Sequence, residues 1–239
     1  MRVAVMTPTY NERDNVDEFV ARVQAAMPLA DIFFVDDNSP DGTGNLVSKY
    51  STEDSRIHLI ARSGPRGYAA ASREGLVAIA TKNYDVIVTI DCDLSHDPTV
   101  IPEMIERLSS GADVVIGSRY VPRGGVRNWS LFRRLLSRFG NLYTNLMLGA
   151  NVRDCTSGFR AYKTSVIASG VISSTTSNGY AFLSEVLMKI CAKKQFAVVE
   201  IPIVYVERVA GVSKMNKTII RESMRLVTIW GLQRLRRKS

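Results

Sequence analysis

Hydrophobic positions in the first half of the chain follow two alternating periods. Short β-branched and aromatic runs at 2–6, 31–36, 56–61, 84–91 and 112–117 read as strands, each closed by turn residues. Between the first two, Val16, Phe19, Val20, Val23 and Met27 recur at helical spacing, and after the fourth Val100, Ile101, Met104, Ile105 and Leu108 do the same. Strands alternating with helices predict βαβ units and a mainly parallel sheet, so residues 1–118 read as one half of an α/β domain. The pattern Gly-x-Gly-x-x-Gly is missing after the first strand, which removes the main support for a dinucleotide-dependent oxidoreductase.

The second half carries two helices of another kind. Over 129–148, Phe132, Leu135, Leu136, Phe139, Leu142, Tyr143, Leu146 and Met147 form one stripe, with Arg133, Arg134, Ser137, Arg138, Asn141 and Asn145 elsewhere. Such a stripe is more often core than lipid-facing; the arginines around it favour an interfacial helix. A last helix, about 216–236, mixes Ile219, Ile220, Met224, Val227, Ile229, Trp230 and Leu235 with Arg and Lys. It reads equally as an in-plane anchor and as a helix docked on the body with a solvated tail. The chain therefore reads as a domain over 1–206, in halves at 1–118 and 119–206, followed by a basic loop and amphipathic helix over 207–239.

Charge sharpens this division. The net +8 is concentrated in 119–160 and 207–239, each at +7, which leaves the rest of the chain at −6. Two basic segments on an acidic body imply a polyanionic partner such as an anionic membrane surface or a phosphorylated substrate. No helix-turn-helix, RNP-like or zinc pattern supports nucleic acid. No apolar run approaches the ~20 residues of a membrane span and no leader pattern is evident, so the expected location is cytoplasmic and peripheral at a membrane face. Cys92, Cys155 and Cys191 lack paired or metal-ligand spacing and read as small apolar fillers in a reducing compartment.

The chemistry lies at the strand ends. The fourth strand runs into Asp91-Cys92-Asp93 and the second into Asp36-Asp37-Asn38-Ser39-Pro40-Asp41-Gly42. Parallel strands would deliver Asp37, Asp91 and Asp93 to one crevice at their carboxyl ends, where open α/β sheets bind ligands. Carboxylates so close repel each other and call for a cation between them; hard oxygen ligands without His or Cys favour Mg²⁺ or Mn²⁺ over Zn²⁺.

Thr7-Pro8-Thr9-Tyr10-Asn11-Glu12, the Asp36–Gly42 segment, Asp91-Cys92-Asp93-Leu94-Ser95-His96 and Thr156-Ser157-Gly158-Phe159-Arg160 together resemble, in order and spacing, the inverting family-2 glycosyltransferases of the GT-A fold. Gly117-Ser118-Arg119-Tyr120, Gly179-Tyr180-Ala181-Phe182 and Glu207–Lys214 resemble the dolichol-phosphate or polyprenol-phosphate mannose synthases within that family. The resemblance implies a Rossmann-like sheet and transfer of a hexosyl unit, mannose from GDP-mannose, onto a polyprenyl phosphate. It implies donor contacts from Pro8, Tyr10, Glu12, Val35, Asp37, Asp91, Cys92, Arg208 and Lys214, with the metal on Asp91 and Asp93. It implies acceptor contacts from Arg119, Arg133 and Ser137, and catalytic roles for Asp93, Arg119 and Arg133. A lipid phosphate brings its own nucleophilic oxygen, so no strong general base is called for. Arg208 and Lys214 read as a lid over the donor phosphates, and a membrane-embedded partner subunit is compatible with the chain having no span of its own.

The chain departs from the resemblance at Pro65-Arg66-Gly67, where relatives have Gly-Leu-Gly, and at Ser95 and Leu183, where Gln is frequent; these positions bear on donor identity. The alternatives are the same fold with a UDP-sugar or a soluble acceptor, and a non-catalytic nucleotide- or lipid-binding module.

Overall fold

The computed structural model describes residues 1–207 and 217–236, with side chains at 217–219 excepted. The strands are β1 (Val3–Thr9), β2 (Asp31–Asp36), β3 (Ile57–Ala61), β4 (Val86–Thr89), β5 (Val114–Ser118), β6 (Gly125–Arg127), β7 (Arg160–Lys163), β8 (Val198–Pro202) and β9 (Val204–Val206). The helices are α1 (Arg13–Ala26), α2 (Thr43–Glu53), α3 (Tyr68–Ala80), α4 (Ile101–Ser109), α5 (Leu131–Leu148), the short turn α6 (Thr164–Val166), α7 (Ala181–Ala192) and α8 (Lys217–Arg236).

Seven strands form one sheet in the order β3-β2-β1-β4-β7-β5-β8; β6 and β9 pair separately, also in parallel. β2 and β4 both run parallel to β1, as the alternating pattern predicts. The later strands were not predicted, and of these β7 enters antiparallel between β4 and β5. Its first residue, Arg160, is fully buried in the sheet and would be costly there without partners. It donates to the carbonyls of Ser157, Leu183 and Cys155 at 2.8–3.0 Å, so the cation pins the 155–157 loop and the first turn of α7 against the sheet.

Helices cover both faces. One core layer joins Val16, Phe19, Val20 and Val23 of α1 to Ile101, Met104 and Leu108 of α4, under Ile32, Phe34, Val86 and Val88. The other joins α3 and α7 to Met6, Phe33, Val35, Ile87 and Ile116. α3 lies close because residue 75 is glycine. A Cβ there would stand 2.6 Å from Val35 Cγ2 and 2.7 Å from Met6 Sδ.

α5 inverts the usual packing. Its buried residues are Asn141, Thr144 and Leu148, while Leu131, Phe132, Leu135, Leu136, Phe139, Leu142 and Leu146 are 46–76% exposed. The core reading of this stripe is thereby corrected, except at Tyr143 and Met147, which turn inward against the core. The polar face docks because the 153–156 loop needs partners: Asn141 Oδ1 accepts from Cys155 N at 2.8 Å, and its amide donates to Thr156 Oγ1 at 3.2 Å. α8 is docked rather than free. Val227 is buried, Trp230 packs on the core, Tyr143 and Thr228 share a 2.7 Å hydrogen bond, and Arg234 donates to the Met147 carbonyl at the end of α5. Ile229, Leu232 and Leu235 remain 38–54% exposed beside the α5 stripe. Among the described residues no helix is long and apolar enough to cross a membrane.

Gly75→Ala gains up to about 1 kcal/mol of helix propensity but overpacks at a cost of about 1 to 3 kcal/mol. A net loss of about 1 to 2 kcal/mol in urea unfolding is expected, with Met6→Ala restoring part of it in the double variant.

Candidate active site

The parallel register carries the acidic strand ends to one edge. A cleft of about 260 Å³ opens there, lined by Pro8, Tyr10, Glu12, Asp37, Asp91, Cys92 and Asp93. Six of the sequence-assigned donor residues, and Asp93 of the assigned metal pair, thus converge from the ends of β1, β2 and β4. Val35 does not: its side chain is fully enclosed beneath α3 against Gly75, so it shapes the strand and offers the cleft no side-chain contact. Arg208 and Lys214 lie outside the described residues.

Each acidic group is held differently. Asp36 is buried and accepts from Thr9 Oγ1 at 3.1 Å, Ser39 N at 3.0 Å and Ser39 Oγ at 2.6 Å, which folds the turn after β2. Asp37 pairs with the buried Arg62 and accepts from Gly67 N at 2.6 Å. Gly67 sits at φ 149°, a conformation open to glycine, so the departure at Pro65-Arg66 keeps the one residue the turn requires. Arg62 also forks onto Glu74 at 2.7 and 2.8 Å and donates to the Pro65 carbonyl. Arg66 donates to Tyr10 Oη at 3.0 Å with its guanidinium 5.0 Å from the Tyr10 ring.

Asp91 is one-third exposed toward the cleft and Asp93 is buried. Ser95 N and Oγ donate to Asp93 Oδ1 at 3.1 and 2.5 Å. Ser95 therefore orients the carboxylate, and its short side chain is spent there rather than on a cation. Among the described residues no cluster of three or more His, Cys, Asp or Glu forms a metal cage. Two carboxylates at i, i+2 beside an open cleft fit a hard divalent cation that takes its other ligands from substrate phosphate and water.

The opposite wall of the cleft comes from residues that sequence reasoning gave no role. Tyr68 opens α3 and stacks on Tyr180 at 5.0 Å. Tyr180 is placed by the preceding loop, whose Thr176 and Ser177 amides donate to the buried Glu185, while Arg73 donates to Thr175 Oγ1 and the Ser177 carbonyl. Gly179-Tyr180 had signalled that loop by resemblance without showing what it faces.

Arg119, Arg133 and Ser137 form a second cluster. The two guanidinium groups lie over one indole, that of Trp129, at 5.8 and 4.2 Å, and Tyr120 Oη donates to Ser137 Oγ at 2.6 Å. Arg119 is not the freely available cation that the sequence reading implies. Its N, Nε and Nη2 donate to the fully buried Asp154 at 2.7–3.0 Å and Nη2 also reaches Thr156, leaving Nη1 for any anion. Burial pushes the Asp154 carboxyl up, but the Arg119 charge and its hydrogen bonds outweigh this and hold it below the usual range. Arg133 pairs with Glu207, both 38% exposed.

An aromatic path links the clusters: Trp129 meets Tyr205 at 5.4 Å, Tyr205 meets His96 at 5.2 Å, and His96 Nδ1 stands 3.9 Å from Asp91 Oδ2. His96 is enclosed, and its buried Nδ1 has no hydrogen-bond partner. Burial drives its pKa down to about 4, against the pull of Asp93.

This is an α/β fold of the GT-A type, with a carboxylate-lined cleft at the carboxyl edge of its parallel strands and a basic cluster alongside. Residues 4–170 match the glycosyl transferase family 2 model, and the chain belongs to that family. It is 41% identical to the polyprenol monophosphomannose synthase of Mycolicibacterium smegmatis, over 97% of this chain and 88% of that one. It is 38% identical to the undecaprenyl-phosphate mannosyltransferase of Micrococcus luteus, over 97% and 95% of the two chains. With the dolichol-phosphate mannosyltransferase of Pyrococcus furiosus it shares 34% identity, over 94% of this chain and 62% of that one. The fold superposes on the glucosyl-3-phosphoglycerate synthase of Mycobacterium tuberculosis, solved with Mn²⁺, UDP-glucose and phosphoglyceric acid, with a TM-score of 0.66 at 18% identity, over 98% and 79% of the two chains.

His96 also sets a pH dependence. Its folded pKa lies below the ordinary histidine value of about 6.5, so its contribution is complete above pH 6.5 and is lost as pH falls toward 4, when the unfolded chain binds a proton that the native site resists. In metal-free urea titrations the wild type should lose about 2 to 3 kcal/mol more between pH 7 and pH 4.5 than His96→Phe does.

Proposed function

We propose that this chain transfers mannose from GDP-mannose to a polyprenyl phosphate with inversion at the anomeric carbon, using Mg²⁺ or Mn²⁺. The observation that carries the reading is the placement of the basic cluster beside the carboxylate cleft, on a helix whose outer face is apolar. The three relatives, all named as transferases of mannose to a lipid phosphate or synthases of such a product, support the same acceptor and sugar. A bound divalent cation would neutralise charge on the departing diphosphate. Asp91 and Asp93 would hold it, with Ser95 fixing the Asp93 carboxylate. The turn of Pro8, Tyr10 and Glu12, with Asp37 on its Arg62 and Gly67 supports, would hold the nucleoside.

Arg133, Ser137 and the remaining Nη1 of Arg119 would dock the acceptor phosphate, aiming one of its oxygens at the anomeric carbon. That oxygen forms the new bond while the carbon–oxygen bond to the nucleoside diphosphate breaks and its electron pair leaves with the diphosphate. The base, the stacking partner and the lid remain assignments of this reading; Arg208 and Lys214 would close on the donor phosphates.

A panel of radiolabelled nucleotide sugars with polyprenyl phosphate tests this. Label from GDP-mannose should enter the organic phase; EDTA should abolish the transfer, and Asp93→Ala should lower kcat/KM by about 10³-fold or more with the circular dichroism spectrum unchanged. Full turnover in excess EDTA, or preferred transfer from a UDP-sugar, would overturn the assignment.

The same reading places the enzyme at a membrane surface through α5 and the outer face of α8. Each basic residue near an anionic leaflet contributes about 1 kcal/mol and weakens with salt, and the exposed apolar side chains add insertion. Truncation within α8 would disturb core packing at Val227 and Trp230, so the clean probe lies on α5. The double variant Leu135→Ser, Phe139→Ser should lower sedimentation with anionic liposomes by about tenfold or more while its melting temperature stays within a few degrees. Equal binding by wild type and variant would return the stripe to another role.

A further inference from the structure

The loop between β3 and α3, where the chain departs from the resemblance at Pro65-Arg66, sends a cation to the cleft. Arg66 lines it together with Pro8, Tyr10, Glu12 and Asp37. Both neighbours of Arg66 are clamped: Arg62 donates to the Pro65 carbonyl at 3.1 Å, and Gly67 N donates to Asp37 Oδ2 at 2.6 Å. The Pro65 ring also fixes its own φ, so the position of Arg66 is set before any ligand arrives. The side chain is exposed, and it is steadied rather than neutralised. Its Nη1 donates to Tyr10 Oη at 3.0 Å, its Nη2 reaches the Asn38 carbonyl at 3.4 Å, and its guanidinium carbon lies 5.0 Å from the Tyr10 ring centre. Among the described residues no carboxylate pairs with it, which leaves a charged planar fork with N–H groups to spare at the mouth of the cleft.

Its place relative to the acids selects the part of a donor that it meets. The strand order is β3-β2-β1-β4; Arg66 touches residues that follow β1 and β2, whereas Asp91 and Asp93 follow β4. Neighbouring strands stand about 4.8 Å apart, and with a diphosphate on the metal pair the nucleoside extends across the end of β1 toward Arg66. We propose that Arg66 is a specificity-determining residue that reads the base of the donor, its guanidinium fork donating to the side-by-side O6 and N7 acceptors of guanine; this rests on the donor reading above. A planar fork matches that pair of acceptors, where a single ammonium would be a point charge. Uracil presents one acceptor, O4, beside a C–H, so the same fork makes half the contact. Adenine puts an amino donor where guanine has O6 and sets N–H against N–H. Because the loop is clamped, little ordering cost offsets the edge contact.

Calorimetric titrations with GDP, 7-deaza-GDP and UDP, each with Mn²⁺, test the proposal on wild type and Arg66→Leu. 7-Deaza-GDP carries C–H in place of N7 and is otherwise the same ligand. Wild type should bind GDP about threefold or more tighter than 7-deaza-GDP. Arg66→Leu should bind these two alike, lose about fivefold or more for GDP, and change for UDP by less than about twofold, with its melting temperature unchanged. If 7-deaza-GDP binds wild type as tightly as GDP, N7 is not read and the proposal fails alone. It fails alone as well if Arg66→Leu weakens all three ligands by one factor, which places Arg66 on the shared ribose and diphosphate or in the support of the loop, or if it changes none of them. If wild type binds UDP more tightly than GDP, the donor reading falls and takes this proposal with it.

Discussion

Carboxylates crowd one edge of the sheet, and their mutual repulsion has to be answered locally. β1, β2 and β4 run parallel, so Asp36, Asp37, Asp91 and Asp93 all emerge at their carboxyl ends. The answers differ in kind. Asp36 is neutralised by hydroxyl and amide donors and becomes a turn-former. Asp37 receives a buried arginine that is itself tied to Glu74. Asp91 and Asp93 face a cleft beside an uncharged His96, a neighbourhood suited to an external cation. Asp36 and Asp37 are thus tied into turns of the fold itself, while Asp91 and Asp93 line the cleft.

The basic half solves the complementary problem. Arginines close together repel, and here two of them share one indole. Asp154 makes the first permanent, because a buried ion pair with three donors to one carboxylate leaves no lower-energy alternative nearby. Glu207 pairs with the second, both groups half-exposed. The inverted packing of α5 belongs to the same logic: its polar face is needed inward, where Asn141 satisfies the loop that carries Asp154, and its apolar face is therefore turned out.

Much of this was legible in the residues. Alternating periods announced the βαβ half, and the Asp-x-Asp after an apolar strand announced the cleft, because strand ends and carboxylate spacing are local properties. Pro8, Tyr10, Glu12 and Asp37 needed the resemblance to be singled out, and the parallel register brought them together. Tyr68 and Arg62 carried no signal, and Tyr180 and His96 only that of the motifs containing them, since each gains its role from a partner at least 5 and as many as 112 positions away in the chain.

The sequence by itself determined the helical and extended segments, the acidic strand ends and the two basic regions, because periodicity and charge are written along the chain. Tertiary structure decided which way each periodic face turns. The α5 stripe was open to a core or an interfacial reading and is outside, since the loop at 153–156 demanded hydrogen bonds from the opposite face. Val35 looked like a cleft residue and is beneath α3, and Arg119 looked like a free cation and is bound to Asp154. In each case the deciding partner is distant in sequence, and burial and pairing energies arise only once the fold has brought the two together.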